Sequence, residues 1–284
     1  MYYSIKRIFL ITTVIMFCNV FYAQDFQGKA YYFSKTPMDL GRWGAKMSEQ
    51  QKKEIASRLK NRLEKTYILN FNKEESTYKE DDKLDAISGA TDSWGKNFTP
   101  GNQYKNIKSN TFIQSQEFYG KVFLVKDTLK AIAWKIGTES KTIGNYTCFK
   151  ATCMRPAFDL SWYNFSWSEL RRQSQKEEDS LANKAQEKTV VPEKNDPEMV
   201  EVVAWYTPMI PVSQGPGDYR GLPGLILEVS AGTTTLLCNK IVLNPGEKES
   251  IKAPKKGKVV SRKEYKAIIT EKMQEFRSNR GGRG

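Results

Sequence analysis

The sequence contains no histidine. That absence removes the Ser-His-Asp and Cys-His nucleophile systems, any imidazole general base and most catalytic zinc sites. Cysteine is scarce, four in 284 residues, and the four are scattered without ligand spacing, so neither a metal site nor a cofactor is expected. Beyond the N-terminus no apolar run approaches the roughly 20 residues of a spanning helix. What is present suffices for a core: 39% hydrophobic and 12% aromatic residues in a length that suits one large or two modest domains.

A formal charge of +13 suggests an acidic partner, but position matters more than the sum. From Lys248 to Gly284 there are twelve Lys or Arg and four Glu. The body before this tail keeps only a small positive balance, too little for a basic groove, and nucleic acid is not an expected partner.

Lys6 and Arg7 precede an apolar run from Ile8 to Val20 and a cleavage point after Phe21-Tyr22-Ala23. This is the outline of a Sec signal peptide over residues 1–23, with residues 24–284 forming one exported domain. Phe17 before Cys18 argues against a lipoprotein leader. The compartment permits disulfides, and Cys148, Cys153 and Cys238 are the candidates, one pair with one spare. Cys148 and Cys153 would point to opposite faces of an unbroken strand, so their pairing needs a bend; either can instead pair with Cys238.

Residues 26–33 read as a first strand. Ser48 and Gln51 make a capping box for a helix whose apolar stripe is Ile55, Leu59 and Leu63. Thr66 to Asn72 alternates Tyr67, Leu69 and Phe71 as a half-buried strand, and residues 80–100 read as a long loop. A hairpin is expected from Lys121–Val125 and Leu129–Ile136 about a Lys126-Asp127-Thr128 turn. Ile143-Gly144-Asn145-Tyr146 reads as a turn feeding a strand to Cys153. Residues 159–198 have the composition of a charged helical insertion, with Trp162, Tyr163, Phe165 and Trp167 at its base. Residues 199–207 and 225–229 are apolar on both faces, as in central strands. Another strand over 233–243 is expected to place Leu237, Ile241 and Leu243 on one side. Within the basic segment 248–284, Ser261 and Glu264 cap a last helix reaching Phe276.

The most specific stretch is Ala204 to Val229, in which Gly221-Leu222-Pro223-Gly224-Leu225-Ile226 spells GLPGLI. Pro208, Pro211, Pro216 and Pro223 fix φ while Gly215, Gly217, Gly221 and Gly224 relax it, so the loop has a specified path. With Trp134, Ile136, the Ile143–Tyr146 turn, Cys148 and Lys150-Ala151, the sequence resembles the GLPGLI family of exported Bacteroidota proteins. The resemblance covers most of the mature chain except the insertion. It implies a periplasmic or outer-membrane location, and TonB-dependent transport is the partner system that such a location suggests. Family members are also similar to the N-terminal, non-catalytic domain of some secreted N-glycan amidases, which favours recognition over chemistry.

The expected fold is α+β, predominantly β: a strongly curved antiparallel sheet, half-barrel-like, with a helix after the first strand, the helical insertion and a C-terminal helix. The expected function is non-enzymatic binding of a peptide, glycan or envelope partner. Its candidate site is Trp205, Tyr206, Pro211, Gly215, Pro216, Gly221, Leu222, Pro223, Gly224, Leu225 and Ile226, which can equally form a core corner. Alternatives are a carbohydrate-recognition module using Trp162, Trp167 or Trp205, a hydrolase using Asp218 and Glu228, and a lipid-carrying half-barrel.

Overall fold

The computed structural model describes residues 26–37, 44, 46–81, 100–160 and 198–281. The signal peptide, most of the 80–100 loop and residues 161–197 of the insertion, including Trp162 and Trp167, lie outside the described residues. The strands are β1 (Gly28–Lys35), β2 (Glu64–Phe71), β3 (Glu75–Glu80), β4 (Asn102–Asn106), β5 (Thr111–Phe118) and β6 (Lys121–Thr128), then β7 (Lys135–Ile143), β8 (Tyr146–Pro156), β9 (Met199–Thr207), β10 (Leu225–Ala231), β11 (Thr234–Leu243) and β12 (Lys258–Val260). The helices are α1 (Glu49–Leu63), the single turn α2 (Ala157–Leu160) and α3 (Arg262–Gly281). None is long and apolar enough to cross a membrane.

All twelve strands form one open sheet in the order β12-β6-β5-β4-β3-β2-β1-β11-β10-β9-β8-β7. Two antiparallel meanders, β1 to β6 and β7 to β11, are joined where β1 pairs with β11, and β12 adds a parallel edge to β6. The fold is therefore α+β, predominantly β, as expected. Both expected capping boxes are present: Ser48 with Gln51 opens α1, and Ser261 with Glu264 opens α3.

The hairpin expected across residues 121–136 does not form. Lys126, Asp127 and Thr128 continue β6, which pairs with β5, while β6 and β7 lie near opposite ends of the sheet. Ile132 and Trp134 mimic a strand's alternation because both pack against a core cluster while the segment crosses between the sheet ends. This crossing measures the curvature. Ten strand spacings would span about 48 Å in a flat sheet, yet the seven residue steps from Thr128 to Lys135 reach at most about 25 Å. The sheet must therefore curl, bringing β6 and β7 to within about 25 Å of each other at this crossing.

Two further expectations change, and three strands appear that the sequence did not announce. β2 is buried on both faces, with Ile68 and Asn70 covered as well as Tyr67, Leu69 and Phe71. On β11, Leu237 is exposed because a bulge opposite Tyr31 and Tyr32 puts Cys238, not Leu237, on the core face with Ile241, and Leu243 is exposed at the strand's end. Strands β3, β4 and β5 carry too many polar residues to be recognised from alternation, and those polar residues prove to face the interior.

Candidate functional site

The segment joining β9 to β10, residues 208–224, folds back over the concave face of the sheet. Its backbone is fastened at both ends: Leu225 N donates to the Ile210 carbonyl at 2.9 Å and Ile226 N to the Gln214 carbonyl at 3.0 Å. Gly221 has φ +91°, a conformation that side chains resist. Gly224 lies so close to Thr207 that a Cβ would collide with the Thr207 carbonyl. This close backbone approach is to the end of the neighbouring strand β9.

The loop is held from below by polar side chains aligned across β3, β4 and β5. Register places Ser76 opposite Lys105 and Gln103 opposite Gln114, all facing the loop side. Ser76 Oγ donates to Gln214 Oε1 at 3.0 Å, Gln103 Nε2 to Gln114 Oε1 at 3.0 Å, and Gln114 Nε2 to Gln116 Oε1 at 2.7 Å. Lys105, 2% exposed, donates from Nζ to the carbonyls of Gly215 at 2.6 Å, Gly217 at 2.9 Å and Tyr219 at 2.9 Å. Three acceptors match the three donors of an ammonium. Burial pushes the Lys105 ammonium down to about 7, against the opposing attraction of Asp218.

Arg155 grips the loop from the second meander. Its Nη1 and Nη2 donate to the two Asp218 carboxylate oxygens at 3.0 and 2.9 Å. Burial alone would raise the Asp218 carboxyl, but Arg155 holds it below its usual range. Trp134 Nε1 donates to the Arg220 carbonyl at 2.8 Å, and Arg220 Nη2 returns a bond to the Lys130 carbonyl at 2.6 Å, stitching the crossing segment to the loop.

A cleft of about 180 Å³ remains where the sheet ends approach each other, and Lys130, Ile132, Met154, Arg155, Arg220 and Arg262 line much of it. Arg262 pairs with Asp127 at 2.8 Å and lies over the Phe112 ring. Burial lowers the pKa of Arg220. The arrangement is suited to binding anions. Among the described residues no group of three or more Cys, Asp or Glu is placed to hold a metal ion.

The candidate residues taken from the sequence separate into two sets. Gly215, Pro216, Leu222, Gly224, Leu225 and Ile226 are buried, whereas Pro211, Gly221 and Pro223 reach the surface. Tyr206 is buried beside Phe149 with ring centroids 6.3 Å apart. Trp205 is half-buried, with the Lys141 ammonium 4.3 Å from its ring centroid. The concave face of the sheet is covered by the chain's own loop and, over β5 and β6, by α3, whose Tyr265 and Ile269 join Phe112, Phe123 and Val125 in one cluster. The loop and α3 thus occupy the space a lipid would need.

The proposed carboxylate pair does not assemble. Glu228 stands in register with Trp205 and, through it, with Lys150, and it pairs with Lys141 at 2.7 Å. Lys150 and Arg155 are five residues apart on β8 and project from opposite faces, so Glu228 and the Arg155-bound Asp218 lie on opposite sides of the sheet.

No disulfide forms among the described cysteines: Cys148, Cys153 and Cys238 are all buried thiols. β8 runs unbroken to Pro156, so Cys148 and Cys153 face apart, and they join different core clusters. Burial raises Cys148 and Cys153 to about 11 and Cys238 to about 12, which leaves them protonated and unreactive at neutral pH.

Lys105 and Arg155 had no signal in the sequence. Each is a cation in a strand otherwise readable as solvent-facing, and only the opposing carbonyls or carboxylate show why it is buried.

Residues 134–228 match a family model described as "Protein of unknown function (Porph_ging)". The match begins at Trp134 in the crossing segment and ends at Glu228 on β10, so it takes in β7 to β9, the motif loop and the start of β10. No curated protein matches the chain. Two solved structures, titled "Structure of PNGF-II in C2 space group" and "Structure of PNGF-II in P21 space group", are similar at TM-scores of 0.47 and 0.46 with 13% and 14% identity. Each comparison covers 86% of this chain, which spans about a third of those chains, 32% and 33%.

Proposed function

We propose that the chain is an exported, non-catalytic binding protein of the bacterial cell envelope, of the GLPGLI type, and that its motif loop is an internal strut. The observation that carries this reading is the Lys105 ammonium capping three loop carbonyls inside the sheet. The ionisable groups beneath the loop are engaged in holding it: Lys105 by carbonyls and Asp218 by Arg155. Such pairing shapes a scaffold and turns these groups towards the loop rather than towards a substrate. The partner class proposed is a TonB-dependent outer-membrane transport protein, met by surfaces outside the strut.

The test is recovery of envelope proteins on an affinity-tagged chain expressed in its native host. A transport component should co-purify with the wild type. It should also co-purify with a Pro211→Ser/Pro223→Ser double variant, because these two exposed residues change the loop's rim and leave its inward bonds intact. Loss of recovery with an unchanged melting temperature would make the loop a contact surface and overturn the strut reading. Failure of the wild type to recover any transport component would overturn the partner.

A further inference from the structure

We infer that the cleft between the sheet ends binds a monoanionic carboxylate carried on a short apolar stem, with Arg220 as its principal partner. This rests on the reading of the chain as a binding protein and adds the ligand's chemistry.

Three guanidinium groups line the cleft, and their pairing differs. Arg155 holds both oxygens of Asp218, and Arg262 holds Asp127. Arg220 donates to the carbonyls of Lys130 and Asp218 at 2.6 and 3.5 Å, and among the described residues no carboxylate lies within ion-pair distance of it. It is only 9% exposed. These two bonds use two of its five N–H donors. A guanidinium taken out of water without a carboxylate is costly, and a ligand supplying one recovers that cost through charge-assisted hydrogen bonds.

Charge and shape narrow the class. Lys130, Arg155, Arg220 and Arg262 line the cleft against Asp159 and Asp218. The positive balance favours an anion, while two fixed carboxylates disfavour a second negative charge on the ligand. A planar carboxylate fits the guanidinium fork better than a tetrahedral dianion does. The remaining walls include Ala131, Ile132, Ala133 and Pro156, which suit a few aliphatic carbons. A volume of about 180 Å³ excludes anything much larger than one residue's worth of ligand.

Calorimetric titration of the mature chain at low ionic strength and neutral pH tests this with isovalerate, acetyl-valine, acetyl-valinamide and inorganic phosphate as probes. At least one of the two carboxylates should saturate, while the amide and phosphate bind at least about tenfold more weakly, the worth of one bond to a charged group. Binding of acetyl-valine alone assigns the carboxylate to a peptide terminus, and binding of isovalerate alone assigns it to a free acid. Arg220→Gln should abolish saturation. Because Arg220 also ties the crossing segment, Ala131→Glu is the second variant: Ala131 is exposed and lines the cleft, so the fold should persist while the added carboxylate weakens binding by at least about tenfold. Equal binding of acid and amide, tighter binding of phosphate, unchanged affinity in folded Ala131→Glu, or no saturation of the wild type by either acid would each overturn the inference. None of these results bears on envelope recovery, so the binding-protein reading stands or falls separately.

Discussion

The two halves of the sheet hold the same loop by different physics. Beneath β3 to β5 the contact is polar, made by Ser76 and Lys105, with Gln103, Gln114 and Gln116 bonded in a ladder beside them, all buried. Beneath β8 to β10 it is mainly apolar, where Ala151, Val202, Ala204, Ile226 and Val229 pack against Tyr219 and Leu222, with the Arg155–Asp218 pair as its one charged tie. Apolar packing is non-directional and rewards area, whereas a buried amine or amide is stable only when particular partners meet it. The apolar half supplies adhesion and the polar half specifies where the loop must lie. Removing a methyl group should therefore cost less than removing one polar anchor.

The largest effect is expected where neither half can adjust. Gly224→Val drives a side chain into the Thr207 backbone, and a cost of about 4 kcal/mol or more should leave little folded protein on thermal or urea denaturation. A folded variant with near wild-type melting would show that the loop can leave the sheet without penalty.

Lys105→Met comes next. It keeps the side chain's bulk but leaves the carbonyls of Gly215, Gly217 and Tyr219 without their donor. At roughly 1 to 3 kcal/mol for a lost buried partner, and with partial relaxation, a loss of about 3 kcal/mol is expected in urea unfolding. Val229→Ala on the apolar side should cost about 2 kcal/mol by the same measurement. A reversed order would mean that packing, rather than the ammonium, positions the loop.

A pH series sharpens the comparison further. The folded state holds Lys105 near 7, below its value of 10.5 in an open chain. Between these limits the unfolded chain binds the additional proton, so this contribution to stability rises with pH and is lost as pH falls towards 7. From pH 7 to 9 the wild type should gain about 2 kcal/mol relative to Lys105→Met, since a fully developed shift gives about 1.4 kcal/mol per unit. The buried thiols act in the opposite direction as pH approaches the open-chain value of 9.0, but they are common to both proteins and cancel in the difference. A flat difference would mean that the three carbonyls keep the ammonium charged throughout.

Legibility from sequence followed the same division. The capping boxes at Ser48 and Ser261, the turn at Gly144 and the apolar strands β9 and β10 could be read because local chemistry fixes each within a few residues. Strands β3 to β5 could not, since a buried Gln or Lys resembles a solvated one until its partner is known. The Leu129–Ile136 segment failed for a related reason: Ile132 and Trp134 alternate because they cross a packed interior, and alternation does not identify the neighbour. The motif at residues 221–226 stood out clearly, but its chemistry pointed both outward and inward.

By itself the sequence determined a β-rich chain with a stiff proline-glycine segment, two capped helices and no imidazole chemistry. These follow from residue types and short spacings, which act over a turn or a strand. Tertiary structure alone decided that the stiff segment turns inward, that Lys105 caps three of its carbonyls and that Asp218 and Glu228 part company across the sheet. Lys105 is separated from the carbonyls it meets by 110 to 114 positions, and only the curling of twelve strands brings such distant groups within hydrogen-bonding range.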